Sequence, residues 1–150
     1  MPIGELCSRE VVFATRKTSI TEAAQLMRQY HVGDLVVVDL VDNKRVPVGV
    51  VTDRDIVIEI VGESLQVDDF TIGDIMSRQL ISVPEKEGVI ETILLMRAHG
   101  IRRIPVVDDE GGLAGIISAD DMLDLLAEEL TELAKVAPRQ QACEARSRCG

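Results

Sequence analysis

Apolar residues recur along this chain in two alternating rhythms. Ile20, Ala23, Ala24 and Met27 stand three or four apart, the spacing of one helix face. Ser19, with Glu22 three residues on, supplies a cap for that helix, which is expected to end near His31 to Gly33. The run Leu35-Val36-Val37-Val38 predicts a buried strand. Val46 to Val51 predicts a second one after a polar turn around Asp42-Asn43-Lys44. A short helix is then expected from Thr52 to Gly62, with Ile56, Val57, Ile60 and Val61 facing inward.

The same order follows again. A short strand is predicted at Leu80 to Val83, a helix from about Glu87 to His99, strands at Arg103 to Val107 and Leu113 to Ile117, and a last helix from about Ala119 to Ala137. Ile3-Gly4-Glu5-Leu6-Cys7-Ser8 returns as Ile72-Gly73-Asp74-Ile75-Met76-Ser77, 69 positions later. At that spacing Met27 aligns with Met96 and Asp39 with Asp108. After a gap of three residues, Gly49-Val50-Val51-Thr52-Asp53-Arg54-Asp55 becomes Gly115-Ile116-Ile117-Ser118-Ala119-Asp120-Asp121. The reading is an α/β (α+β) fold of two pseudo-symmetric β-α-β-β-α repeats, with sites formed between the halves. Repeat one covers 1–62, a polar linker 63–71, and repeat two 72–137 with an extended C-terminal helix; 138–150 is expected to be a mobile tail. A unit of about 65 residues is marginal by itself, so both repeats are expected to fold as one body.

Composition narrows the classes. No apolar run approaches the ~20 residues that cross a bilayer, and no basic stretch leads into an apolar one at the N-terminus. The chain therefore reads as soluble and cytoplasmic. Its 26 acidic and 16 basic residues give a net charge of −10, and Phe13, Phe70 and Tyr30 are its aromatic residues. Such a surface repels a phosphate backbone and offers few stacking platforms, so neither nucleic acid nor membrane is an expected partner. Cys7, Cys143 and Cys149 lack the close pairing of a zinc site and imply no metal. On the last helix, Leu123, Leu126, Leu130 and Leu133 form a stripe that predicts a homodimer contact.

The chemistry lies in the doubled motif of a glycine, two β-branched residues, a hydroxyl residue and, three positions on, an aspartate. Thr52 with Asp55, and Ser118 with Asp121, each fit a capping box. The same pattern also suits a nucleotide. A strand entering a helix exposes backbone N–H groups to a phosphate, and a neighbouring carboxylate accepts ribose hydroxyls. His31 and His99 fall at matching helix ends, where a cation is favoured. No activated nucleophile with a base and an orienting partner is present, so no catalytic residue and no obligatory cofactor is expected.

With Gly-Val-Val-Thr-Asp-Arg-Asp-Ile at 49–56 and Arg-Arg-Ile-Pro-Val-Val-Asp at 102–108, the doubled unit resembles a tandem pair of CBS domains, the Bateman module, over residues 1 to about 130. The resemblance implies a stand-alone prokaryotic regulatory protein. Each of its clefts would hold an adenosine-containing ligand such as AMP, ADP, ATP, NAD or S-adenosylmethionine, and an effector protein, not identified by the sequence, would read the resulting change. Carried onto this chain, cleft one combines Thr52, Arg54 and Asp55 with Ile81, Ser82 and Val83, and with Ile101, Arg102 and Arg103. Cleft two combines Ser118 and Asp121 with Val12, Phe13 and Ala14, and with Val32, Gly33 and Asp34.

The clefts are not equivalent. Repeat one has Gly33 and Asp34 where repeat two has Arg102 and Arg103, and Asp120 stands where cleft one has Arg54. Like or opposite charge beside a phosphate is worth on the order of 1 kcal/mol per group. Cleft one is therefore expected to take a phosphorylated ligand, and cleft two to be weak, empty or limited to an uncharged adenosine. Two other readings compete: a constitutive interaction module in which the motif only caps helices, and a nucleotide-converting enzyme, for which Asp34 or Asp120 would be a poor base.

Overall fold

The computed structural model describes residues 1–149; Gly150, at the end of the expected tail, lies outside them. In repeat one, β1 (Phe13–Ala14), β2 (Asp34–Val41) and β3 (Lys44–Thr52) form one sheet in that order. β1 runs parallel and β3 antiparallel to β2. The helix α1 (Ile20–Tyr30) joins β1 to β2. Ser19 caps it by accepting the Glu22 N–H, and His31 ends it in the left-handed conformation. In repeat two, β4 (Val83–Pro84), β5 (Arg103–Val107) and β6 (Leu113–Ser118) form the second sheet, and α4 (Val89–His99) joins β4 to β5.

The helix after β3 differs from expectation. It is a single α-turn, α2 (Asp53–Ile56), passing into a π-helical turn at Val57–Val61. Ile60 is buried, whereas Val57 and Val61 are exposed. A π turn carries more residues per revolution, so two of the four positions expected to face inward rotate outward.

Each repeat gives its opening segment to the other. Ile3 and Cys7 are buried in a core with Val83, Met96, Ile104, Val106, Ile117 and Met122. Ile72 in α3 (Ile72–Ile75) and Met76 are buried with Ile20, Met27, Leu35, Val37, Val51 and Ile60. Backbone bonds hold both segments in matching registers. The Ile3 and Gly4 N–H groups donate to the Glu87 and Glu85 carbonyls at 2.8 and 2.9 Å, as those of Ile72 and Gly73 donate to Thr18 and Arg16 at 2.9 Å each. Ser8 then exchanges two backbone bonds with Ile116, and the Ser77 N–H donates to Val50.

This exchange explains the glycine in the doubled motif. A Cβ on Gly115 would lie 2.6 Å from both the Ser8 carbonyl oxygen and the Cys7 sulfur, and one on Gly49 would collide with the Ser77 carbonyl. The glycines let the exchanged segments cross the sheets.

The C-terminal end also departs from expectation. The long helix stops earlier, as α5 (Ala119–Ala134), and after Lys135 the chain resumes as α6 (Val136–Cys149). The segment expected to be a mobile tail is thus helical as far as Cys149. It lacks apolar periodicity because residues 136 to 148 are all exposed, and helices without a buried face carry no such signal. Cys7 is buried and Cys143 exposed. Among the described residues no helix is long and apolar enough to cross a membrane.

Candidate functional site

The strand ends nearest the boundary between the repeats enclose a cleft of about 680 Å³, within the ~300–1,000 Å³ common to small-molecule sites. Thr52, Asp53, Arg54 and Asp55 reach it from the end of β3, Ile101, Arg102 and Arg103 from the start of β5, and Ser77, Gln79 and Ile81 from the segment before β4. Gly33 and Asp34 from the start of β2 and Ser118 and Asp120 from the end of β6 complete the lining, with Val50 and Gly100.

Of the residues expected in cleft one, Thr52, Arg54, Asp55, Ile81, Ile101, Arg102 and Arg103 share this lining. Ser82 is half-buried outside it, and Val83 is buried in the second core, where β4 pairs it with Val106. Of those expected in cleft two, Gly33, Asp34 and Ser118 line the same cavity. Val12 and Val32 pack against the first core and Ala14 is buried in it. Phe13 carries the Arg45 guanidinium 4.2 Å above its ring, and Asp121 is exposed outside the lining.

Matched by the repeat, four pairs of equivalent positions line the cleft together: Gly33 with Arg102, Asp34 with Arg103, Thr52 with Ser118, and Arg54 with Asp120. The cleft therefore straddles the pseudo-twofold axis. It extends to one side only, because Asp55, Ile81 and Ile101 line it while Asp121, Val12 and Val32 do not. Gln79 and Ser77 had no signal in the sequence that separated them from other polar residues of a loop; the exchanged segment brings them there.

Both capping boxes are formed. The Thr52 N–H donates to Asp55 Oδ2 at 2.9 Å and the Asp55 N–H to Thr52 Oγ1 at 3.1 Å; the Ser118–Asp121 pair matches at 3.0 and 3.1 Å. The Asp53 N–H donates to the Gly33 carbonyl at 2.9 Å and the Arg54 N–H to Asp53 Oδ1 at 2.8 Å. The free N–H groups expected at this strand end for a phosphate are thus already taken, at all four residues from 52 to 55. The capping bond uses Oδ2 of Asp55, and no bond among the described residues uses its Oδ1.

The arginines are also engaged. Arg102 donates to Asp120 at 2.9 Å and Arg103 to Asp34 at 3.4 Å. The Asp34 side chain is only 17% exposed. Burial pushes its carboxyl above the ordinary carboxylate value, Arg103 opposes the shift and Asp53 reinforces it. Arg54 enters no ion pair among the described residues. Three arginines therefore face four aspartates, Asp34, Asp53, Asp55 and Asp120, across one cavity.

Comparison with known proteins places this architecture. The family model described as "CBS domain" matches twice, over residues 3–62 and 72–128. An uncharacterised protein of Methanopyrus kandleri is 37% identical over 123 residues, which are 82% of this chain and 61% of that protein, so the chain spans less than two thirds of its length. A CBS domain-containing protein of Bacillus subtilis is 30% identical over 80% of this chain and 81% of its own length. Among solved structures, the CBS domain pair of the protein MJ0100, in complex with 5′-methylthioadenosine and S-adenosyl-L-methionine, superposes with a TM-score of 0.73 at 27% identity, covering 86% of this chain and 98% of that one. The doubled motif, the exchanged opening segments and the cleft on the pseudo-twofold axis are those of a protein that belongs to the CBS-domain family and carries two such domains as one Bateman module.

Proposed function

We propose that this chain is a regulatory module that holds an adenosine-containing small molecule in the cleft between its repeats and signals to a partner protein through a change in their arrangement. The observation that carries this reading is Asp55. Its carboxylate is fixed by the capping box through one oxygen and keeps the other for a pair of ribose hydroxyls. Val50, Ile81 and Ile101 supply an apolar wall for a base, and Arg54 a cation that enters no ion pair among the described residues. The complex of the MJ0100 domain pair with two adenosine derivatives supports the ligand class. A ligand touching both repeats biases their arrangement to the extent that it binds one arrangement better than another. Along α5, the exposed stripe of Leu123, Leu126, Leu130 and Leu133 supports assembly as a homodimer.

The test is thermal unfolding with AMP, ADP, ATP, NAD and S-adenosylmethionine in turn, on the native protein and on Asp55→Ala and Asp121→Ala. A ligand at a hundred times its dissociation constant stabilises by about 2.7 kcal/mol. The expected result is a raised midpoint with at least one adenosine compound, abolished by Asp55→Ala alone. The formed capping boxes favour a second reading, a constitutive interaction module. In that case both variants lose about 1 kcal/mol of stability and no compound shifts the midpoint.

A further inference from the structure

We propose that the cleft selects nucleosides of low negative charge and rejects polyphosphates, with Asp34 and Asp120 as the specificity-determining residues. The proposal deepens the adenosine reading given above and rests on it for the identity of the nucleoside, though not for the rejection of polyphosphate.

Three observations converge. First, two of the three arginines that line the cleft are already paired, Arg103 with Asp34 and Arg102 with Asp120, which leaves Arg54 as the one lining arginine in no ion pair among the described residues. A polyphosphate taking them over would leave two carboxylates beside its own negative charge. Asp34 is the worse of the two to abandon, since it is largely buried and close to Asp53, and a buried charge stripped of its partner is strongly disfavoured. Second, the backbone N–H groups of residues 52 to 55 are all engaged, so the cleft has no anion nest there to compensate. Third, four acids against three bases, within a chain of net charge −10, set up a field that repels an approaching polyanion. A nucleoside, or one with a neutral or cationic substituent, meets none of these obstacles and still finds the apolar wall and Asp55.

The experiment is calorimetric titration of adenosine, AMP, ATP and inorganic tripolyphosphate into the native protein, Asp120→Asn, Asp34→Asn and the double variant, at one fixed ionic strength. The native protein is expected to bind adenosine more tightly than ATP and to show no binding of tripolyphosphate. Each substitution should improve ATP relative to adenosine by about fivefold or more, and the double variant should gain tripolyphosphate binding. Asp120 is largely exposed, so its variant remains folded whatever becomes of Asp34→Asn. Tighter binding of ATP than adenosine by the native protein, or an unchanged ratio in Asp120→Asn, overturns the proposal. Tripolyphosphate separates the two readings. If no nucleoside binds but the double variant gains tripolyphosphate, the adenosine reading falls and the charge selection stands; if the double variant gains nothing, the charge selection falls.

Discussion

Arg103 donates to Asp34, and the two residues hold the same position in the two repeats, 69 residues apart. Equivalent positions meet only where a symmetry axis passes between them. In a perfectly repeated chain this spot would hold two identical charges in contact, two arginines or two aspartates, and would be repulsive. Divergence to one of each turns a repulsive contact into an ion pair that ties β2 to β5 across the axis. One of the substitutions that make the clefts unequal, Asp34 against Arg103, thus also makes a contact that joins the repeats.

The acid in that pair gives a pH dependence with a defined sign. Since burial raises the Asp34 carboxyl above its ordinary value, the folded state binds this proton more tightly than the unfolded chain does. Its contribution to stability is therefore largest below the ordinary value of about 3.9 and is lost as pH rises through the higher folded-state value. Urea unfolding of the native protein and Asp34→Asn from acid to neutral pH is expected to show the native protein losing ground to the variant across that window. Parallel curves would mean that Asp34 titrates as it does in the unfolded chain.

The exchanged segments predict a single cooperative unit. Ile3 belongs to the core of repeat two and Ile72 to that of repeat one, both fully buried. Ile3→Ala and Ile72→Ala should each cost roughly 2–5 kcal/mol, and each should lower the midpoint of one transition. Two separable transitions in calorimetry, with each variant moving only one, would contradict the coupling.

Gly115→Ala places a methyl group 2.6 Å from the Ser8 carbonyl and the Cys7 sulfur. Overpacking of this kind costs about 1–3 kcal/mol, read from the urea midpoint. Gly49→Ala should behave alike against Ser77, and loss of stability in only one of the two would break the equivalence of the crossings.

On α5, Leu126→Asp with Leu130→Asp changes exposed positions, so the fold of the monomer should be unaffected. If the stripe joins two copies, sedimentation of the double variant falls to the mass of one chain, about 16.4 kDa. An unchanged mass would place any dimer contact elsewhere.

Much of the fold was legible because its signals are local. The apolar run at Leu35 to Val38 became β2, the 3.6-residue spacing from Ile20 became α1, and Ser19, Thr52 and Ser118 all cap as their neighbours predict. Strand β5 spans the predicted residues. The π turn at Val57–Val61 was hidden because it uses the same apolar residues as an α-turn and differs only in which of them face out. Helix α6 was hidden because its residues 136 to 148 are all exposed.

The sequence by itself determined that there are two repeats, what each contains, and that their polar motifs differ in charge, since these depend on neighbours in the chain and on comparison of the chain with itself. Only the tertiary structure decided that the opening of each repeat completes the other's core, that Gly49 and Gly115 exist for that crossing, and that Asp34 and Asp120 are the acids that pair with Arg103 and Arg102 in the cleft. Those facts depend on contacts between residues tens of positions apart. Periodicity records which face of an element is buried, but not which partner buries it, nor which charge a side chain meets across an axis.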